Sequence, residues 1–313
     1  MRAAVLHGLD DLRVEEIAEP EGEVLVRVEA ATACGTDVKM LRRGHRVLGP
    51  YPSRFGHETA GVRLDTGAPV FVGDSVACGA CAPCAAGRPQ ICRDMRYVLG
   101  GFAELIAAPE AALHAVPDGL DLPGAAMAEP LAACVHAVAR AGDGAVSTDD
   151  AAVLGGGTIG LMIARLLVLE GRAVTLCDRH PERRAQAETL GARAVPAFER
   201  AHDLVFEAVG RPEAWQAAVE AAGPGATVVL VGGCPGGSEV AFPTGPLHYE
   251  ELDVRGAYHH SRAEVDRALE LLATGAVDWR ALAGETVGLD DLAAALRAPA
   301  GGEARKLVVD PRL

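Results

Sequence analysis

The chain has 313 residues, half of them hydrophobic but only 4% aromatic, which is material for two cores filled mainly by small aliphatic side chains. A formal net charge of -14 argues against a nucleic-acid or anionic-membrane surface, since both need clustered positive charge. No stretch approaches the ~18–20 apolar residues of a membrane span, and the start M-R-A-A-V-L-H-G lacks the basic stretch and apolar core of a signal peptide; a cytoplasmic protein is expected.

Residues 1 to about 125 read as short β-rich runs broken by Gly and Pro turns. In Glu23–Glu29, Val24, Val26 and Val28 alternate with charged residues, the period of a half-buried strand. From Asp149 the texture changes. Ala151–Leu154 reads as a buried strand, Ile159–Glu170 as a helix, Ala173–Cys177 as a strand, and Pro181–Leu190 as a helix ending at Gly191. Strands are then predicted at Leu204–Glu207, Thr227–Val231, Leu252–Ala257 and Lys306–Val309, with helices at Pro212–Ala222 and Ala263–Ala273. Strand–helix alternation implies a parallel sheet covered on both faces. There is no internal repeat, and the tail is expected to return to the first domain. The predicted division is 1–130 with 258–313, and 131–257.

Gly155-Gly156-Gly157-Thr158-Ile159-Gly160 fits G-x-G-x-x-G between a predicted strand and a predicted helix. Gly155 permits the tight turn, Gly157 lets backbone approach a pyrophosphate, and Gly160 allows close helix–strand packing. The helix N-terminus offers free N–H groups to phosphate. Asp178, about twenty residues on, suits the ribose hydroxyls and repels a 2′-phosphate, so NAD is preferred over NADP. Arg179 beside it is the residue that would compensate such a phosphate. Its solvated or adenine-facing alternative is favoured.

Eight cysteines are present, and four fall in Cys78-x2-Cys81-x2-Cys84-x7-Cys92. Four thiolates in one short loop match a closed tetrahedral zinc site with a structural role. An iron–sulfur cluster would favour a shorter last gap with a following proline, and a nucleic-acid zinc ribbon is disfavoured by the acidic surroundings.

Three further signals are Cys34-Gly35-Thr36-Asp37, Gly56-His57-Glu58-x-x-Gly61 and Glu129-Pro130. Each alone is bland. Together with Gly73-Asp74, the cysteine lobe, Gly100-Gly101-Phe102-Ala103-Glu104 and the later glycine loop, in that order, they resemble the zinc-containing medium-chain dehydrogenase/reductase family over nearly the whole chain. The resemblance implies an α/β protein: a GroES-like β-rich catalytic domain and a Rossmann doubly wound parallel-sheet domain. It implies a catalytic zinc on Cys34, His57 and Glu129, with Glu58 able to enter or leave the coordination shell, and a second, structural zinc on the four-cysteine lobe. Glu129, where the alcohol-dehydrogenase branch usually has cysteine, points to the polyol and sugar branch.

The resemblance further implies that Thr36 hydrogen-bonds the reacting alkoxide, with Lys39 where the family often has a histidine at the outer end of the proton relay. It puts Thr158 and Ile159 amides on the pyrophosphate, and Glu207–Gly210, Val231 and Gly232 near the nicotinamide. Lys306 is implied to approach the pyrophosphate. His259 and His260 fall where the polyol branch faces substrate; a water-exposed pair at a helix entry is the alternative.

Cys134, Cys177, Cys234, His136, Trp215 and Trp279 read as packing residues. The expected activity is hydride transfer between a polyol, sugar or cyclitol and NAD, in a homodimer or homotetramer, with no nucleic-acid or membrane partner. The alternatives are a dehydrogenase of another secondary alcohol, such as a hydroxy amino acid, and an inactive zinc-stabilised nucleotide-binding protein.

Overall fold

The computed structural model describes residues 1–142, 149–199, 201–298 and 302–313. Two compact units emerge. One comprises Met1–Ala132, Ser261–Ala300 and Arg305–Leu313, the other Ala133–His260 and Gly301–Ala304.

The first unit is built on a seven-stranded sheet in the order Leu113–Ala115, Pro69–Val72, Glu58–Arg63, Val24–Ala33, Lys306–Val309, Ala283–Val287, with Leu105–Ala108 also on Val24–Ala33. The central strand runs four residues beyond the alternating stretch, because Ala30–Ala33 are buried throughout and carry no period-2 signal. Gly61 marks where two strands pass closely: a Cβ there would lie 2.0 Å from the Arg27 carbonyl oxygen. Val24, Val26, Val28, Val70 and Ile106 form one core of this unit. Leu6, Met40, Phe55, Phe102 and Leu292 form another, in which Phe55 and Phe102 meet edge to face at 4.9 Å. Register sets Thr32 against Glu58 and Val308 against Thr32, which brings three distant stretches of sequence to one end of the sheet.

The second unit holds a six-stranded, wholly parallel sheet in the order Arg193–Val195, Ala173–Cys177, Asp150–Leu154, His202–Glu207, Ala222–Leu230, Asp253–Gly256. This is the doubly wound arrangement 3-2-1-4-5-6, reversing direction at Asp150–Leu154. Helices Pro181–Thr189 and Pro212–Glu220 each open on proline at the first helical position, where a missing N–H costs nothing. The helix predicted to reach Ala222 stops at Glu220, since Ala222 already belongs to the next strand. Helices Gly35–Arg43 and Leu289–Arg297 lie outside the predicted elements. Among the described residues no helix is long and apolar enough to cross a membrane.

Candidate active site

Cys34 leaves the central strand and caps the helix Gly35–Arg43. Its sulfur accepts from the Thr36 amide at 3.2 Å, while Asp37 Oδ2 reaches back to accept from the Cys34 amide at 2.8 Å. This reciprocal capping box fixes the sulfur at the helix start. His57 Nε2 stands 3.4 Å from Cys34 Sγ. On its other side Nδ1 lies 3.2 Å from Oδ1 of the fully buried Asp37, without the alignment of a straight hydrogen bond. Asp37 thus holds both the cysteine and the histidine, a role that no sequence motif assigns to it. The signal in the sequence is its position three residues after the cap, as a capping box requires.

Glu58 is 1% exposed. Its Oε1 accepts from Lys306 Nζ at 2.5 Å and its Oε2 from the Thr32 hydroxyl. Burial and the nearby Glu129 push its carboxyl up to about 7, although Lys306 pulls the other way. Lys306, expected at a pyrophosphate, is itself buried and paired with Glu58. Glu129 sits in the first turn of the helix Ala128–Gly142, and its carboxylate, Glu58 and His57 lie within 4.8 Å of one another. Thr36 occupies the first turn of Gly35–Arg43 and is half-buried; Lys39, one turn on, is exposed.

This donor set suits a divalent cation. Burial, followed by the Asp37 carboxylate, raises the Cys34 thiol above its usual range, and a metal is what would favour its thiolate. Tetrahedral zinc with bonds of about 2.3 Å to sulfur and about 2.0 Å to nitrogen separates those atoms by roughly 3.5 Å, close to the Cys34–His57 spacing.

Cys78, Cys81, Cys84 and Cys92 bring their sulfurs within 4.8 Å of one another. Cys81 lies 3.5 Å from Cys84 and 3.8 Å from Cys92, sulfur to sulfur, against an edge of roughly 3.8 Å for a tetrahedral zinc–thiolate site. Backbone amides of Arg93 and Cys84 lower the Cys81 thiol to about 6, while burial and the neighbouring thiols push Cys84 up to about 12, and the four cysteines form no disulfide.

In the second unit, Gly155 turns at φ +105 after the strand Asp150–Leu154, and its amide donates to the Cys177 carbonyl at 2.8 Å. Gly157 caps the helix Thr158–Leu169, and no side chain among the described residues makes a capping hydrogen bond there. A Cβ on Gly160 would fall 1.8 Å from the Gly155 carbonyl oxygen, so the loop and the helix touch here. Asp178 Oδ2 accepts from the Gly156 amide at 2.7 Å and Oδ1 from the His180 amide at 2.8 Å. Arg179 is exposed and bonds His180, while Arg183 approaches Asp178 at 3.7 Å. The buried Glu207 accepts from the amides of Val209 and Gly210 at 2.7 and 2.8 Å, and its backbone carbonyl receives those of Val231 and Gly232. One residue therefore shapes both loops expected near a nicotinamide, the first through its carboxylate and the second through its backbone carbonyl. His259 adopts φ +60 and stacks on His260 at 4.3 Å; His260 is buried, not part of a water-exposed pair.

Residues 20–118 match the family described as alcohol dehydrogenase GroES-like domain, and residues 158–274 match zinc-binding dehydrogenase. A sorbitol dehydrogenase from Bacillus subtilis (strain 168) is 29% identical, with 93% of this chain and 91% of that protein covered. An L-threonine 3-dehydrogenase from Chelativorans sp. (strain BNC1) is 30% identical, with 96% of each covered. Among solved structures, a zinc-binding dehydrogenase from Sinorhizobium meliloti 1021 bound to NADP superposes with a TM-score of 0.89 at 32% identity, over 99% of both chains.

Proposed function

Because the chain belongs to the zinc-containing medium-chain dehydrogenase/reductase family, we propose that it moves hydride between a secondary alcohol of a polyol, sugar or cyclitol and NAD. The observation that carries this reading is the cluster of Cys34, His57, Glu58 and Glu129 on the first unit, an acidic, thiol-bearing set where one end of the sheet meets the start of the helix Ala128–Gly142. Its counterpart in the second is the glycine loop that opens the helix Thr158–Leu169. The first unit takes the substrate and metal chemistry, and the second takes the dinucleotide. Assembly as a homodimer or homotetramer belongs to the same proposal.

Cys34, His57 and Glu129 would hold one zinc and the four-cysteine lobe another; bound there, the first supplies Lewis acidity that lowers the pKa of an adjacent hydroxyl, and the nicotinamide supplies the hydride acceptor. Asp37 orients His57 so that Nε2 faces the cluster. Thr32 and Lys306 pin Glu58 to the sheet end, leaving its release as the way its carboxylate changes position. The Thr36 hydroxyl takes the substrate's proton as it gives up its own towards solvent, and Lys39, three residues along the helix and exposed, flanks the outward route. Thr158 and Ile159 offer their amides to the pyrophosphate. Asp178 braces the loop through Gly156 and disfavours a 2′-phosphate.

Metal analysis of the purified chain is expected to give two zincs, with Cys34→Ala retaining one. A single zinc unaffected by Cys34→Ala would sink the catalytic assignment. In a scan of polyols, cyclitols and threonine, following reduced-nicotinamide absorbance, polyols with NAD are expected to lead. Faster turnover with NADP would overturn the role given to Asp178, and threonine ahead of every polyol would overturn the substrate class.

A further inference from the structure

Between Asp37 and Glu58 the chain turns basic. Residues 38–57 contain five Lys or Arg and no Asp or Glu, within a chain of formal net charge -14. This island joins Cys34 to His57, the two residues that meet at 3.4 Å. Most of its cations are outward-facing and exposed: Lys39, Arg42, Arg43 and Arg46. Arg54 differs. It is half-buried on the short strand Ser53–Arg54, its Nη1 is wholly buried with no hydrogen-bond partner, and no carboxylate among the described residues pairs with it. Burial alone pulls its ionisation below the usual range, with no neighbouring anion to restore it.

The position of this cation is well defined. A Cβ on Gly100 would lie 3.5 Å from Arg54 Cβ, Nε and Cζ, so the side chain lies along the Gly100 backbone. The Gly100 and Gly101 amides both donate to the carbonyl of Gly56, the residue directly before His57, at 3.0 and 3.1 Å. A guanidinium cannot shed its charge, and burying one unpaired is unfavourable. Unsatisfied buried donors in folded chains call for a partner that completes them. The fork of N–H groups matches an oxyanion with two oxygens in one plane.

We propose that Arg54 receives the carboxylate or phosphate of an anionic hydroxy substrate, so that the polyol oxidised carries a negative group as well as its secondary alcohol. This deepens the polyol reading and rests on it. The acidic surface would repel such a substrate, and the basic island supplies the local field that draws it in.

The test compares neutral polyols, six-carbon aldonates and sugar phosphates on the wild type, Arg54→Gln and Arg54→Lys. For the preferred anion, Arg54→Gln is expected to raise KM by roughly ten- to a hundredfold while kcat and neutral-polyol KM stay within about twofold. Arg54→Lys should restore part of the loss, because it keeps the charge but not the fork. Preference for aldonate over phosphate, or the reverse, identifies the group. Equal KM values for neutral and anionic substrates on the wild type, or equal losses for both on Arg54→Gln, would overturn the proposal. A rise in dinucleotide Kd without a change in anion KM would also overturn it, assigning Arg54 to the cofactor. Thermal unfolding with inorganic phosphate and with an aldonate separates this from the hydride reading. Stabilisation by either that Arg54→Gln abolishes supports the anion site even if no alcohol is turned over, whereas stabilisation retained in full by Arg54→Gln, or absent from the wild type, counts against it.

Discussion

Glu58 and Lys306 show how an acidic site can be kept folded without being neutralised by solvent. Both are almost fully buried and meet at 2.5 Å. Taking two charges from water is costly, and a buried pair adds little net stability, but removing one partner strands the other. Lys306→Met is therefore expected to lower the unfolding free energy of metal-depleted protein by about 3–5 kcal/mol in urea titration. Adding Glu58→Gln should recover most of that loss, because the stranded charge is gone. If Lys306→Met costs as much in the Glu58→Gln background as in the wild type, the two residues are not coupled and this account fails. None of this pairing was legible in the sequence, since 248 positions separate the partners and no local period connects them. Cys34, His57 and Glu129 carried a recognisable order along the chain. Asp37, which holds Cys34 and His57, and Thr32, which holds Glu58, stand out less, because a threonine in a strand and an aspartate in a helix turn are common in any fold.

The glycine loop separates two roles that the motif alone runs together. Gly160 is required by the fold: an added Cβ would strike the Gly155 carbonyl oxygen. Gly157 has open space where its Cβ would go and an ordinary backbone at φ -71. Gly160→Ala should therefore lower the thermal midpoint of the protein as well as weaken dinucleotide binding. Gly157→Ala should leave that midpoint unchanged and raise the dinucleotide Kd by roughly tenfold or more, read by calorimetry, because backbone approach to a pyrophosphate is what its missing side chain permits. A Gly157→Ala variant that binds dinucleotide normally would remove the pyrophosphate from this loop. Elements of the second unit were the most legible of the molecule, and Ala173–Cys177 runs as read. Its apolar strands and proline-opened helices each obey one dominant rule. In the first unit the strand Val24–Ala33 outran its alternation because burial on both faces erases the period.

At the scale of the whole chain, each unit carries hydrophobic clusters of its own. Calorimetry is expected to resolve two unfolding transitions. Dinucleotide at a hundred times its Kd should stabilise the transition of the second unit by about 2.7 kcal/mol, while chelation should lower that of the first. A single transition moved equally by both treatments would refute independent ligand stabilisation. The family was legible at this scale because its motifs occur in a fixed order, whereas the substrate class is written in pocket side chains whose partners cannot be seen along the sequence.

The pairing of Glu58 with Lys306 also imposes a schedule on synthesis. At about 5–20 residues per second, the 248 positions between them take roughly ten to fifty seconds to translate. During that interval the carboxylate has been made and its ammonium has not. The Ala31–Ala33 edge of the central strand, whose neighbour is Lys306–Val309, waits at least as long for those hydrogen bonds. A nascent chain therefore spends that interval with an open sheet edge beside an uncompensated acid, and a ribosome paused late in the message prolongs the stage at which the first unit is most exposed to misassembly.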